Sequence, residues 1–129
     1  MQIYGQSERR VYASTNGFLS IITGSSQYQV QSLPSIHIPE NVVVPFWDDL
    51  ALLARASPQQ GIFYAFGSTN VTFEYYLGRN GTDQIYHFLV DYDNNSPGVF
   101  VFTYVSTGGM SDAGVYAGVG TQGGEDTRW

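Results

Sequence analysis

Apolar and polar residues alternate with a period of two along most of this chain, in short runs separated by Gly, Asn, Pro and Ser. Successive side chains of an extended strand point to opposite faces, so each run reads as a strand with one face turned to a core. Gln84–Tyr92 is the clearest, with Tyr86, Phe88, Val90 and Tyr92 on one side and Ile85, His87, Leu89 and Asp91 on the other. Asn70–Leu77 sets Val71, Phe73, Tyr75 and Leu77 on a common face, and Val99–Val105 does so with Phe100, Phe102 and Tyr104. Gly61–Phe66 reads as the strand before them and Ala113–Val119 as the last.

The first half predicts a hairpin from Val11–Ser14 and Phe18–Thr23, joined through Thr15-Asn16-Gly17. Asn-Gly accepts the positive φ angles of a tight turn. Tyr28–Gln31 extends this region, and Leu33-Pro34 and Ile38-Pro39 bracket a loop. Val42–Val44 is apolar throughout, as expected of a strand buried on both faces. Pro45 is expected to break it, leaving Phe46 and Trp47 to cap one end of the fold. Asp49–Ala56 is the one stretch that reads as a helical turn or two, ending before Pro58. Asp93–Gly98 and Gly108-Gly109 are turns by composition. The sum is an all-β chain, an antiparallel β-sandwich of about eight or nine strands, with one domain over residues 1–129 and no internal linker.

Composition sharpens this picture. Aromatic residues make up 16 % of the chain, and rings suit the pleated faces of strands. Charged residues are only 12 %, against about 25 % in ordinary globular proteins. All five basic residues are Arg (Arg9, Arg10, Arg55, Arg79 and Arg128), and Lys is absent. Lysine commonly keeps exposed sheet edges from pairing with other chains. Its absence is therefore open to three readings: chance, edges shielded by glycans, or edges meant to pair. The formal charge of −6 disfavours nucleic acid and anionic membranes, which need clustered basic groups. No run approaches the roughly 18 apolar residues that a membrane helix requires. With no Cys there is no disulfide framework, thiolate chemistry or cysteine-bound zinc. The opening Met1–Gln6 lacks the features of a secretion signal, so a secreted protein would carry its signal outside these residues.

Few residue patterns carry chemistry. Gly118–Gly123 has dinucleotide-fingerprint spacing but no room for the helix that receives a pyrophosphate, and Glu125 and Asp126 follow it. Asp91, Asp93 and Asn95 resemble the start of a calcium loop. Ser96 and Phe102 stand where an EF-hand needs Gly and Glu, so these three remain only weak calcium candidates. Asp48 and Asp49 are neighbours, and on an extended backbone they point to opposite faces, which makes a poor acid–base pair. His37 and His87 have neither zinc spacing nor a nucleophile motif nearby. No catalytic, cofactor-binding or firm metal site is expected. Asn70, Asn80 and Asn94 each open a glycosylation acceptor pattern, the last weakened by Pro97.

One set of segments resembles the nidogen-type extracellular domain family. Val11–Ser20 is similar to its opening strand and Asn-Gly turn, with Asn16 and Gly17 at the turn. Ile38–Leu50 resembles its most distinctive segment, an apolar run leading into Pro45-Phe46-Trp47-Asp48. Gly61–Tyr64, Val71–Tyr76, Tyr86–Val90, Phe100–Tyr104 and Ala117–Gly120 match its later strands, so that the likeness covers roughly residues 8–123. The short connection after Leu50 and the lack of Lys depart from the pattern. The resemblance implies a secreted or cell-surface module for adhesion or matrix assembly, without cofactors or catalytic residues, whose partners are proteins of the matrix or further copies of itself as an oligomer or polymer. Two rivals stand beside it. One is a lectin-like domain that stacks glycans on Tyr and Trp and uses the Asp-Asn turn for a cation; the other is an enzyme or its accessory domain.

Overall fold

The structure, a computed structural model, describes residues 1–54, 58–109 and 117–124. Within them the chain is all β. Ten strands follow in order: β1 (Gln2–Ile3), β2 (Gln6–Ser7), β3 (Tyr12–Ser14), β4 (Phe18–Ser20), β5 (Val42–Trp47), β6 (Gly61–Phe66), β7 (Asn70–Gly78), β8 (Ile85–Asp93), β9 (Phe100–Thr107) and β10 (Gly118–Gln122). They form two four-stranded antiparallel sheets, ordered β10-β5-β4-β3 and β6-β7-β8-β9, plus a small β1-β2 hairpin. No helix occurs among the described residues. Asp49–Ala54 instead meets the end of β7 at one isolated bridge, where Ala51 and Gly78 exchange two backbone hydrogen bonds; residues 55 and 56 of the expected helical turn lie outside the described residues.

The alternation of β7 and β8 translates directly into the core. Tyr75, Leu77, Tyr86, Phe88 and Val90 meet Leu19 and Phe46 of the other sheet, and Leu50 joins them. Phe88 stacks on Tyr75 at 4.6 Å between centroids and on Phe46 at 5.7 Å. Offset ring contacts of this kind add to the gain from burial. Toward the other end, Ile3, Ile21 and Val43 close the same interior against Phe100 and Phe102. The β1-β2 hairpin thus acts as a plug between the layers.

The first sheet is covered on its outer face as well. Phe18, Val42, Val44 and Trp47 pack there against Ile38, with Val30 and Leu33 over them. This cover is the segment from Ile21 to Asn41, which contains no strand, so Tyr28–Gln31 does not extend the sheet as expected. It crosses the sheet instead, and the Gln27 carbonyl accepts the Trp47 indole N–H at 3.1 Å. Burial on both sides is why Val42–Val44 is apolar without alternation. The last strand lies later than Ala113–Val119, at Gly118–Gln122, because its pairing with Val42 runs to Gln122; residues 113–116 lie outside the described residues.

Buried Tyr75 ties the layers with one polar bond, its hydroxyl donating to the Phe18 carbonyl at 3.1 Å. Burial pushes this hydroxyl well above the ordinary tyrosine range, because the charged phenolate would sit in an apolar core. The folded state then holds the proton at pH values where the unfolded chain, near its usual 10, releases it. Stability should therefore fall as pH rises above about 10. Tyr75→Phe is expected to cost about 1–3 kcal/mol by orphaning the Phe18 carbonyl and to flatten the alkaline loss. Urea unfolding of both proteins across alkaline pH checks this, and identical slopes would refute the assignment.

Candidate functional site

Two segments singled out in the sequence meet in space. β5 runs through Pro45 rather than ending there, contrary to expectation. Between Gly118 and Gly120 of β10 the pairing on β5 moves from Trp47 to Val44, so β5 carries one extra residue. This is a β-bulge, and a bulge tolerates a residue without an N–H. The carbonyl of Pro45 is used, accepting the Tyr104 hydroxyl at 2.6 Å. The bulge also shifts the phase of the strand: Val44 faces outward, whereas Phe46 two residues later faces the core between the sheets. Phe46 and Trp47 consequently do not cap an end. They are buried on opposite faces of the first sheet.

The Asn16-Gly17 turn closes against this bulged half of β5. Phe46 N–H donates to the Gly17 carbonyl at 3.1 Å, and Asp48 N–H to the Asn16 carbonyl at 3.2 Å. Gly17 has φ +79°, and a Cβ there would lie 1.7 Å from the Phe46 carbonyl oxygen. Only glycine fits such an approach. Asn16 is buried and its side-chain amide donates to the Ser26 carbonyl at 3.0 Å. Asp48 is buried too; its carboxylate accepts Asp49 N–H at 2.7 Å, with Arg79 3.8 Å away. Asn16, Gly17 and the backbone of Phe46 and Asp48 thus fix the chain crossing, while Pro45 and Trp47 bond elsewhere, to Tyr104 and Gln27.

The remaining candidates are scattered. Asp49 is exposed. His37 lies on the segment over the first sheet, whereas His87 lies on the outer face of the second, where Nε2 is 2.7 Å from Glu74. The sandwich separates the two imidazoles, so they do not converge with Asp48. Asp91 accepts a hydrogen bond from the Thr72 hydroxyl across β7 and β8. Asp93 accepts Asn95 N–H at 2.9 Å, closing its own turn. Among the described residues no group of three or more His, Asp or Glu side chains is placed to hold a metal. Gly118–Gly123 is strand β10 for most of its length rather than a phosphate loop. Asn70, Asn80 and Asn94 are all exposed, at the start of β7, in the β7–β8 turn and after β8.

A surface feature escaped the pattern reading. Ile62, Tyr64 and Phe66 lie on the core side of β6, paired with Tyr75, Phe73 and Val71. Yet Tyr64 is 67 % and Phe66 77 % exposed. Opposite them β3 has only three residues, too short to cover a six-residue strand. A groove of about 740 Å³ opens there, lined by Arg9, Val11, Ala13, Tyr64, Phe66 and Phe73 among others. The outer face of the second sheet is uncovered as well, with Phe63, Val101 and Val105 about half exposed. The signal available in the sequence was the contrast in strand length between β3 and β6, which alternation does not register.

These features define a class: a two-layer antiparallel β-sandwich whose most specific residues hold a chain crossing together. The family model described as NIDO related matches residues 1–123, and the chain belongs to that family. No curated protein and no solved structure matches the chain.

Two substitutions probe the crossing. Trp47→Ala should cost about 3–5 kcal/mol through the cavity it leaves; a melting temperature close to wild type would contradict its burial. Gly17→Ala should cost more than the roughly 1–2 kcal/mol of a left-handed residue alone, since the Phe46 carbonyl must also move. Denaturant titration should show a loss larger than that of Gly81→Ala, where φ is also positive but nothing lies within 4 Å of the added carbon.

Proposed function

We propose that the chain is a non-catalytic extracellular module for adhesion or matrix assembly, working through its strand edges and uncovered sheet face. The carrying observation is the combination of an exposed, aromatic edge strand with a second sheet open to solvent on one side. A lone soluble domain normally hides such surface or guards it with charge, and this chain has no Lys with which to do so. Membership of the NIDO-related family supports the reading. So does the dispersal of Asp48, His37 and His87, whereas an enzyme of this size would bring its acid, base or nucleophile together. Two clean exposed sequons, at Asn70 and Asn80, fit a secreted surface, on which glycans would cover part of the low-charge exterior.

A carbohydrate-binding role is the second reading, favoured by the exposed Tyr64 and Phe66 rings beside the groove. These rings meet edge to face at 66°, which offers a sugar no flat double platform. Assembly is therefore preferred.

Sedimentation of the purified chain from micromolar to millimolar concentration tests the choice. A mass that climbs with concentration is expected. A monomer throughout, together with chelator-sensitive binding on a glycan array, would replace assembly with the carbohydrate reading.

A further inference from the structure

We propose that the chain pairs with a second copy of itself through β6, in an antiparallel register centred on Tyr64, to form one continuous eight-stranded sheet across a twofold axis. This rests on the assembly reading above and deepens it by naming the edge and the register.

The two sheets end in four edges, and β6 is the one without a guard. β3 spans only three residues. β9 is interrupted, since its pairing with β8 skips Val105 between Ser106 and Tyr104, and a bulge twists an edge away from partners. β10 is flanked by the segment around Ser35, whose backbone N–H donates to the Gln122 side chain at 2.6 Å, and by Tyr4, whose hydroxyl lies 2.7 Å from that of Thr121. β6 has no charge, no proline and no bulge; its six residues pair in unbroken register with β7. Among the described residues no strand lies on its other side.

Backbone geometry fixes the register. Gly67 N–H donates to the Asn70 carbonyl at 2.9 Å, so Gly67 points toward β7. In an antiparallel ladder the direction alternates residue by residue. Ala65, Phe63 and Gly61 therefore also bond toward β7, and Ile62, Tyr64 and Phe66 direct their N–H and C=O groups to the open edge. A twofold axis through Tyr64 sets Tyr64 opposite its own copy and Ile62 opposite Phe66, which uses all of these groups in about six hydrogen bonds. An axis through Phe63 would leave Phe66 without its partner. The Tyr64 axis also keeps the faces aligned, because paired residues point to the same side of a sheet. Ile62, Tyr64 and Phe66 then continue the groove into the second copy, and Phe63 meets the small Ala65 on the outer face.

The area fits a self-association of modest strength. Aromatic side chains offer about 150–250 Å² each. The 47 %, 67 % and 77 % exposure of Phe63, Tyr64 and Phe66 thus leaves about 400 Å² of ring surface per copy. Two copies reach about 800 Å² before backbone and Ile62 are counted, close to the roughly 1,000 Å² of a specific interface. The contact is isologous and closed, giving a dimer; a fibre would need a second, different contact. Each copy carries a formal charge of −6, and since β6 itself is uncharged, added salt should strengthen the dimer by screening the mutual repulsion.

Sedimentation of three variants beside wild type tests the register. Tyr64→Pro removes an N–H that faces the free edge, a position where an edge strand accepts proline. Tyr64→Lys sets two like charges on the axis. Both should keep the wild-type circular dichroism and raise the dimer Kd at least about 10-fold. Tyr64→Cys, in a chain otherwise without cysteine, should form a covalent dimer on oxidation, since directly paired residues bring Cα atoms within disulfide reach. Wild-type association that persists in the first two variants, or a Tyr64→Cys protein that stays monomeric when oxidised, overturns the β6 pairing and leaves the assembly reading standing. A wild-type monomer at every concentration overturns both.

Discussion

The approach of the Asn16-Gly17 turn to the Phe46 backbone is the constraint on which the rest of this fold depends. A glycine at φ +79° lets the two chain segments come within hydrogen-bonding distance, and any side chain there would collide with the Phe46 carbonyl. That contact stands in for the partner that β5 loses once β4 has ended. It holds the bulge at Pro45 in place, and the bulge decides which face each aromatic residue takes. Phe46 enters the core between the sheets while Trp47 anchors the long cover on the outer face. Removing the close approach would therefore disturb both cores at once.

The two sheets live in different surroundings as a result. The first is sandwiched between the second sheet and the Ile21–Asn41 cover, so its central strand β5 is buried from end to end. The second has a core on one side only, and its far face and β6 edge meet solvent. Burial and exposed apolar surface are thereby divided between the layers. Buried aromatics and the hydroxyls of Tyr75 and Tyr104 bind the first layer to the second, while the Tyr64 and Phe66 rings touch each other at the solvent-exposed edge. Net charge opposes the approach of two copies of this acidic chain, the β6 edge itself carries no charged residue, and such repulsion weakens with salt.

By itself the sequence determined the fold class and most of the ladder. Alternation marks β7 and β8 because each has one largely buried face and one wetter one, and β9 more weakly because its core-side residues are only partly covered. This is a local pattern that needs no knowledge of the partner strand. Asn-Gly marked the first turn for the same local reason, and the apolar Val42–Val44 run announced burial on both sides. The family segment around Pro45-Phe46-Trp47-Asp48 was legible as a motif, though its work was not. Only the tertiary structure decided that Pro45 sits in a bulge, that Asp49–Ala54 bridges the end of β7 at Ala51 rather than winding, and that Tyr28–Gln31 crosses a sheet instead of joining it. It also decided that Ile62, Tyr64 and Phe66, which pairing with Tyr75, Phe73 and Val71 places on the core side of β6, line an open groove. The physical reason is common to all four. Each outcome depends on the length and position of a segment far away in sequence: β10 for the bulge, β7 for the strand-like run, Trp47 for the cover and the short β3 for the groove. Periodicity reports whether a residue has a dry side in principle, and the packing partner alone determines whether that side is filled.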